Sequence, residues 1–161
     1  MFQVAAEKLG RRIAERGMGL VYGGAEVGLM GILADSVLAG GGDVVGVIPR
    51  NVFQREIAHR KLPKLHMVDT MHERKALMAK TTDAFIAFPG GLGTFDELFE
   101  ILTWSMIGIH HKPIGILDVD GYFEPLRALI DNAVARGFLD EAPIRVWSDD
   151  IDAVLDALTG A

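Results

Sequence analysis

The sequence has no cysteine among its 161 residues. It therefore has no disulfide framework, no thiol nucleophile and no cysteine-based metal site. Its five histidines also lack the spacing that is typical of metal ligands. Nothing in the sequence suggests a pyridoxal phosphate site, so we expect the protein to need neither a metal nor an organic cofactor.

Long apolar runs and basic stretches are missing as well. No apolar run approaches the roughly 18 residues of a transmembrane helix, and the N-terminal segment MFQVAAEKLGRR has no apolar signal core. The net charge is −6 and no segment is rich in lysine and arginine, which argues against a nucleic-acid partner. These absences predict a cytoplasmic protein that binds neither membrane nor nucleic acid.

Glycine, in contrast, is abundant and clustered. The chain has 19 glycines in 161 residues, well above the usual fraction of about 7%. Such clusters indicate tight turns or backbone that closely approaches a ligand. The clusters are Gly23-Gly24, Gly40-Gly41-Gly42 and Gly90-Gly91-x-Gly93. We assign the 40–42 cluster to the end of a helix and the other two to loops after strands.

Strand patterns alternate with helix patterns along the whole chain, and several strands are apolar on both faces. This alternation predicts a single α/β domain over residues 1–161, a doubly wound parallel sheet with helices on both faces. The predicted helices are 3–16, 27–42, 71–82, 94–111, 122–138 and 150–160, and the predicted strands are 19–24, 43–49, 65–70, 83–91, 112–119 and 144–149. Ligands of such folds bind at the carboxyl ends of strands, where the 23–24 and 90–93 clusters fall.

The chain begins with a helix, whereas doubly wound folds begin with a strand that becomes central in the sheet. Losing about five buried apolar residues would cost roughly 10 kcal/mol, at 1.5–3 kcal/mol each. That cost matches the whole net stability of a domain. We therefore expect the first strand to be missing here and the natural chain to continue upstream of Met1.

The segment FPGGLGTFDELFE, residues 88–100, is the strongest candidate for a binding site. We predict that a strand ends at Pro89 and that Thr94 opens a helix as its N-cap. Glycines let the backbone N–H groups converge, and a helix N-terminus adds about half a positive charge, so the loop can bind a phosphate without a basic residue. In a purely structural alternative, Thr94 and Glu97 form a capping box and the glycines only make a turn.

Two further segments carry weaker signals. In MHERKALM, residues 71–78, the side chains of Met71, Arg74, Lys75 and Met78 share one helical face. The methionines should draw this face inward and point at least one cation into a cleft; alternatively, both cations are solvated.

The segment VYGGAEVGLMG, residues 21–31, joins a strand to a helix through Gly23 and Gly24. We expect Gly28 and Gly31 to let this helix pack close to the sheet. The spacing does not match the G-x-G-x-x-G fingerprint of dinucleotide-binding folds.

In combination these blocks resemble a known family. The blocks VYGGAEVGLMG, GVIP (46–49), REIAH (55–59), MHERK (71–75) and PGGLGTFDE (89–97) follow the order of the LONELY GUY (LOG) family. Its members are cytokinin riboside 5′-monophosphate phosphoribohydrolases, often mislabelled as lysine decarboxylases. The resemblance covers essentially the whole chain and implies a Rossmann-like fold, usually a homodimer. It implies hydrolysis of a cytokinin nucleotide or AMP to free base and ribose 5-phosphate.

The resemblance also implies roles for individual residues. Arg74 and Glu97 match the two catalytic positions of the family. A carboxylate near the ribose can stabilise an oxocarbenium-like transition state and activate water, and Arg74 would orient Glu97 or a ribose oxygen. The implied substrate-binding residues are Gly90, Gly91, Gly93 and Thr94 around the 5′-phosphate, Lys75 on the phosphate side, Met71 near the base, Gly23 and Gly24 along the cleft, and Glu56.

The chain departs from the family pattern at two places. The Gly-Ser loop that follows the family's first strand would lie upstream of Met1. Ala25 stands where the family usually has glycine, and it would be strained if the position needs a positive φ. Two other functions stay open: a non-catalytic nucleotide or molybdenum-cofactor carrier on the same fold, and a broader purine-nucleotide nucleosidase.

Overall fold

A computed structural model describes residues 1–50 and 58–160. The chain divides into two compact units, Met1–Thr82 and Asp83–Ala161. The strands described in each unit form one parallel three-stranded sheet. None of the helices within the described ranges is long and apolar enough to cross a membrane.

The first unit is built around a central strand. Its described elements are α1 (Phe2–Glu15), β1 (Leu20–Tyr22), α2 (Gly28–Ala39), β2 (Val44–Pro49), β3 (Lys64–Val68) and α3 (Met71–Thr81). The strand order is β1-β2-β3. Val44, Val47 and Ile48 of β2 are fully buried, as expected for a parallel strand covered on both faces. Helices α1 and α2 touch, because a Cβ on Gly10 would lie 2.5 Å from the Cβ of Ser36.

The second unit repeats this arrangement. Its elements are β4 (Phe85–Ala87), α4 (Leu92–Met106), β5 (Ile114–Leu117), a short 3-10 helix (Val119–Gly121), α5 (Glu124–Ala135), β6 (Val146–Ser148) and α6 (Ile151–Thr159). The strand order is β4-β5-β6, and every residue of the central strand β5 is buried. The core packs Ile114 and Ile116 of β5 against Leu98 and Leu102 of α4 and against Phe123.

The predicted α/β class, with parallel strands flanked by helices, is confirmed. The described strands lie in two three-stranded sheets, one in each unit. Each predicted helix and strand is present, with ends that shift by a few residues. The strand expected upstream of Met1 stays a prediction.

The start of α4 was predicted wrongly. Gly91 is the N-cap, and Thr94 is the third residue of the helix. The backbone turns into the helix at Gly91, whose carbonyl accepts hydrogen bonds from the N–H groups of Thr94 and Phe95 at 3.0 and 3.3 Å. A capping box between Thr94 and Glu97 is therefore excluded, because Thr94 already lies inside the helix.

Candidate functional site

The loop between β4 and α4 exposes the N-terminus of a 15-residue helix. The N–H groups of Leu92 and Gly93 belong to the first turn, where no intrahelical acceptor is available. A Cβ added at Gly91 or at Gly93 would meet no atom within 4 Å, so this stretch of backbone is open. Converging N–H groups at the positive end of a helix dipole form an anion-binding surface.

The hydroxyl of Thr94 completes this surface. A Cβ at Gly90 would overlap the Oγ1 atom of Thr94, so Gly90 must be glycine for the hydroxyl to sit over it. The carbonyl of Gly90 accepts a hydrogen bond from the hydroxyl of Tyr122. The ring of Tyr122 packs edge-to-face on Phe123 with centroids 5.0 Å apart. The hydroxyl of Tyr122 thus anchors the backbone of this loop at Gly90.

Glu97 is half-buried on the second turn of α4. It follows Gly93 by four residues and Thr94 by three, so the three residues share one helical face. At 1.5 Å per residue, its Cα lies about 6 Å further along the axis than that of Gly93. A carboxylate therefore stands one turn behind the anion-binding surface.

Arg74 belongs to the first unit and is the buried residue of α3, with 8% of its surface exposed. Its guanidinium packs on the turn after β1, because a Cβ on Gly23 would overlap Nη2 and lie 3.0 Å from Cζ. The Nη1 atom lies 3.9 Å from the sulfur of Met71. The structure thus brings together three sequence candidates, Gly23, Met71 and Arg74. Lys75 is only half-buried. The prediction that at least one cation of this helical face turns inward is confirmed, and that cation is Arg74.

The backbone conformation of the turn after β1 shows whether alanine is strained at position 25. Gly24 has φ +79°, which favours glycine. Among the described non-glycine residues, Asp120 is the one with a positive φ. Ala25 therefore does not have a positive φ. Ala25 is therefore unstrained in place of the family's usual glycine.

The helix–sheet packing role expected of Gly28 and Gly31 is wrong for Gly28. Gly28 has φ +67° and no atom near its Cβ position, while a Cβ on Gly31 would overlap the carbonyl of Glu26. Gly28 therefore serves backbone conformation, and Gly31 serves a close approach to the loop before α2.

Several polar residues near this turn were not predicted from the sequence as site residues. His59 is buried, with Nε2 3.2 Å from Oδ1 of Asp35. The hydroxyl of Tyr22 donates to the carbonyl of Ala25 at 3.2 Å. Burial, and then the carboxylates of Asp35 and Glu26, raise the pKa of Tyr22 above its usual range, so the hydroxyl stays protonated and remains a donor.

One sequence candidate, Glu56, lies outside the described residues. Within residues 1–50 and 58–160, no group of three or more histidine, aspartate or glutamate side chains is arranged to hold a metal ion.

The chain matches known proteins along most of its length. The family model described as "Possible lysine decarboxylase" matches residues 30–158. The chain is 52% identical to the probable cytokinin riboside 5′-monophosphate phosphoribohydrolase LOGL5 of Oryza sativa subsp. japonica, over 90% of this chain and 59% of that protein. It is 48% identical to the cytokinin riboside 5′-monophosphate phosphoribohydrolase LOG7 of Arabidopsis thaliana, over 90% of this chain and 67% of that protein.

The fold also matches solved structures at low sequence identity. The molybdenum cofactor binding protein of Rippkaea orientalis superposes with a TM-score of 0.73 at 20% identity, covering 98% of this chain and 86% of that one. The molybdenum cofactor carrier protein of Chlamydomonas reinhardtii gives 0.69 at 22% identity, covering 98% and 88%. At these identities the likeness concerns the fold alone.

The chain spans about three fifths of the length of several curated relatives. The family itself is established, because the family model covers residues 30–158 and the relatives share about half of the aligned residues. The chain belongs to the LONELY GUY (LOG) family.

Proposed function

We propose that the protein hydrolyses the N-glycosidic bond of a nucleoside 5′-monophosphate, either a cytokinin riboside 5′-monophosphate or AMP. The products are the free base and ribose 5-phosphate. The arrangement at the start of α4 carries this proposal: open N–H groups, the Thr94 hydroxyl over Gly90, and Glu97 one turn behind them. The names of the curated relatives, phosphoribohydrolases of cytokinin riboside 5′-monophosphates, support the same reaction.

The 5′-phosphate binds at the N-terminus of α4 in this proposal. Gly90, Gly91 and Gly93 leave room for it, the first-turn N–H groups donate to its oxygens, and the Thr94 hydroxyl donates from the side. The helix dipole favours the negative charge there. This geometry requires no basic residue in the loop itself.

Glu97 then acts on the ribose that adjoins the phosphate. As the bond between C1′ and the base nitrogen breaks, positive charge develops at C1′, and a nearby carboxylate stabilises it. The same carboxylate accepts a proton from water as the water oxygen bonds to C1′. The electrons of the broken bond remain on the base, which takes up a proton from solvent, and Glu97 afterwards releases to solvent the proton that it accepted from water. A carboxylate beside a phosphate is otherwise unfavourable, which supports a chemical role for Glu97.

The remaining candidates contact other parts of the substrate. Arg74 is the second catalytic residue, whose planar guanidinium holds a substrate oxygen through paired N–H groups. The further binding residues are Gly23 and Gly24 through their backbone, Met71 at the base, Lys75 on the phosphate side, and Glu56. A nucleotide substrate also agrees with a cytoplasmic location, because phosphorylated nucleosides do not diffuse freely across membranes.

The decisive experiment incubates the purified protein with AMP and, separately, with isopentenyladenosine 5′-monophosphate, and follows free base by chromatography. We expect equimolar base and ribose 5-phosphate from at least one substrate, without added metal or cofactor. Nucleotide binding without base release would instead favour a non-catalytic carrier. Equal release from several purine nucleotides would identify a broader nucleosidase, and we expect no carbon dioxide from lysine.

Replacing Gly93 by alanine tests the phosphate site separately from catalysis. The added methyl meets no protein atom within 4 Å, and alanine gains up to about 1 kcal/mol over glycine in a helix. We expect the melting temperature to rise while AMP affinity falls about tenfold, or about 1.4 kcal/mol. Adenosine, which lacks the phosphate, is the control ligand and should bind equally to both forms. Unchanged AMP affinity would place the phosphate elsewhere.

We propose in addition that the protein is a homodimer, as the family resemblance implies. The second half of α4, from Phe99 at its midpoint to Met106 at its end, and the loop after it expose four apolar side chains, Phe99, Met106, Ile107 and Ile109, the last two by 66% and 61%. Apolar side chains grouped in this way are typical of a protein–protein interface. The double variant Met106→Glu/Ile109→Glu should run as a monomer in size-exclusion chromatography with light scattering. Val4→Glu, at an exposed position of α1, should stay dimeric; a dimeric double variant would exclude this face.

A further inference from the structure

A buried histidine is paired with a surface carboxylate beside the turn Gly23–Ala25. His59 is 1% exposed, and its Nε2 atom lies 3.2 Å from Oδ1 of Asp35 on α2. The side chain of Asp35 is 54% exposed, so its carboxylate keeps much of its hydration. This contact ties a buried imidazole to α2 without burying an ion pair, which would carry a large desolvation cost.

The backbone around His59 is joined to the same turn. The N–H of His59 donates to the carbonyl of Gly24 at 3.0 Å, and Ala58 pairs with Ala25 in an isolated antiparallel bridge. Ala25 is fully buried, and its carbonyl also accepts the hydroxyl of Tyr22. The turn is therefore fixed on one side by β1 and on the other by residues 58 and 59.

The position of this turn determines the space left for Arg74. Gly23 and the guanidinium are so close that a methyl group does not fit between them. Gly24 cannot readily take up a displacement, since a Cβ there would already lie 3.2 Å from Leu65 and 3.4 Å from Ile48. A shift of residues 58 and 59 would thus be transmitted to Gly23 and to the guanidinium packed on it.

We propose that His59, held by Asp35, is a positioning residue that fixes the Gly23–Ala25 turn and, through it, the Arg74 guanidinium. The consequence for catalysis rests on the proposed role of Arg74 in nucleotide hydrolysis. His59 acts through the turn and does not touch substrate. Its Nδ1 atom is buried and makes no hydrogen bond within the described part of the chain, so the Nε2 contact with Asp35 is the polar anchor of the ring there.

Two substitutions of His59 distinguish the loss of its contact with Asp35 from a change in side-chain volume. His59→Leu fills most of the ring volume but cannot donate to Asp35, whereas the amide nitrogen of His59→Gln lies near the Nε2 position and can donate. Misplacement of a catalytic group by about 1 Å can cost about 10²-fold in rate. We expect His59→Leu to lower kcat/KM for AMP by about 10- to 100-fold and His59→Gln to restore most of the activity.

Arginine NMR reports on Arg74 whether or not the enzyme turns over. The Nε–Hε signal of Arg74, assigned by its loss in Arg74→Lys, should move in His59→Leu and return towards its original position in His59→Gln. Asp35→Ala should move the Arg74 signal as well. Because Asp35 is largely exposed, this variant should fold and can replace His59→Leu in the test if His59→Leu does not fold. Glu15→Gln on α1 should leave the signal unchanged.

The outcomes separate this proposal from the proposed function. An unmoved Arg74 signal in folded His59→Leu or Asp35→Ala, or equal defects in His59→Leu and His59→Gln, would overturn the positioning role. Absence of base release by the unmodified protein would overturn the hydrolase function, while the NMR signals would still decide what His59 positions.

Discussion

Glu97→Gln is expected to lower kcat for base release by about 10²- to 10⁴-fold, the usual contribution of a general base. Glutamine has nearly the same shape as glutamate, but it can neither accept the proton of the attacking water nor offset positive charge at C1′. Affinity for AMP should change little or increase, because the substitution removes a negative charge from the neighbourhood of the phosphate. Single-turnover base release and calorimetric titration with AMP measure the two quantities separately.

Glu100→Gln is the matched control for this experiment. Glu100 is also a half-buried glutamate of α4, one turn further from the helix N-terminus. Its substitution should leave kcat within about twofold, as at sites away from the reacting atoms. Near-normal turnover in Glu97→Gln would refute the role given to Glu97. A loss of AMP affinity equal to the loss of rate would identify it as a binding residue.

The sequence predicted the start of α4 in outline but not in detail. The block PGGLGTFDE identified a strand, a glycine turn and a helix in the correct order. It could not distinguish Gly91 from Thr94 as the N-cap, because glycine and threonine are about equally favoured at that position on local preference alone. The fold starts the helix two residues earlier, which places the Thr94 hydroxyl over Gly90 rather than on the helix's own N–H groups.

Sequence patterns could not predict contacts between residues that lie far apart in the chain. Helical spacing grouped Met71 with Arg74, and the structure keeps that contact. The approach of Arg74 to Gly23 depends on how α3 lies against the end of β1, which no local periodicity encodes. Asp35 and His59 are 24 residues apart, and neither residue type at that spacing forms a known motif. Such pairs can be identified only from the folded structure.

Gly23→Ala is expected to lower kcat/KM for AMP by about 10²-fold or more. The new methyl would overlap the Nη2 atom of Arg74 and lie 3.0 Å from its Cζ atom, so the guanidinium must leave its position. Gly19→Ala just before β1 is the control, because its nearest atom would be the Asp43 carbonyl oxygen at 3.5 Å, an ordinary contact. Steady-state kinetics of the two variants should therefore differ sharply.

A double-mutant cycle on stability separates this clash from any clash with substrate. Gly23→Ala should cost about 1 kcal/mol in the free energy of unfolding, at the low end of the usual cost of overpacking, because the methyl meets the far end of a flexible side chain. In an Arg74→Ala background the methyl has room, so the same substitution should cost much less, and the coupling should exceed about 0.5 kcal/mol. Urea denaturation of the four proteins without nucleotide measures it. Additive costs would mean that Arg74 does not rest on Gly23, and a low activity of Gly23→Ala would then have to come from contact of the methyl with substrate.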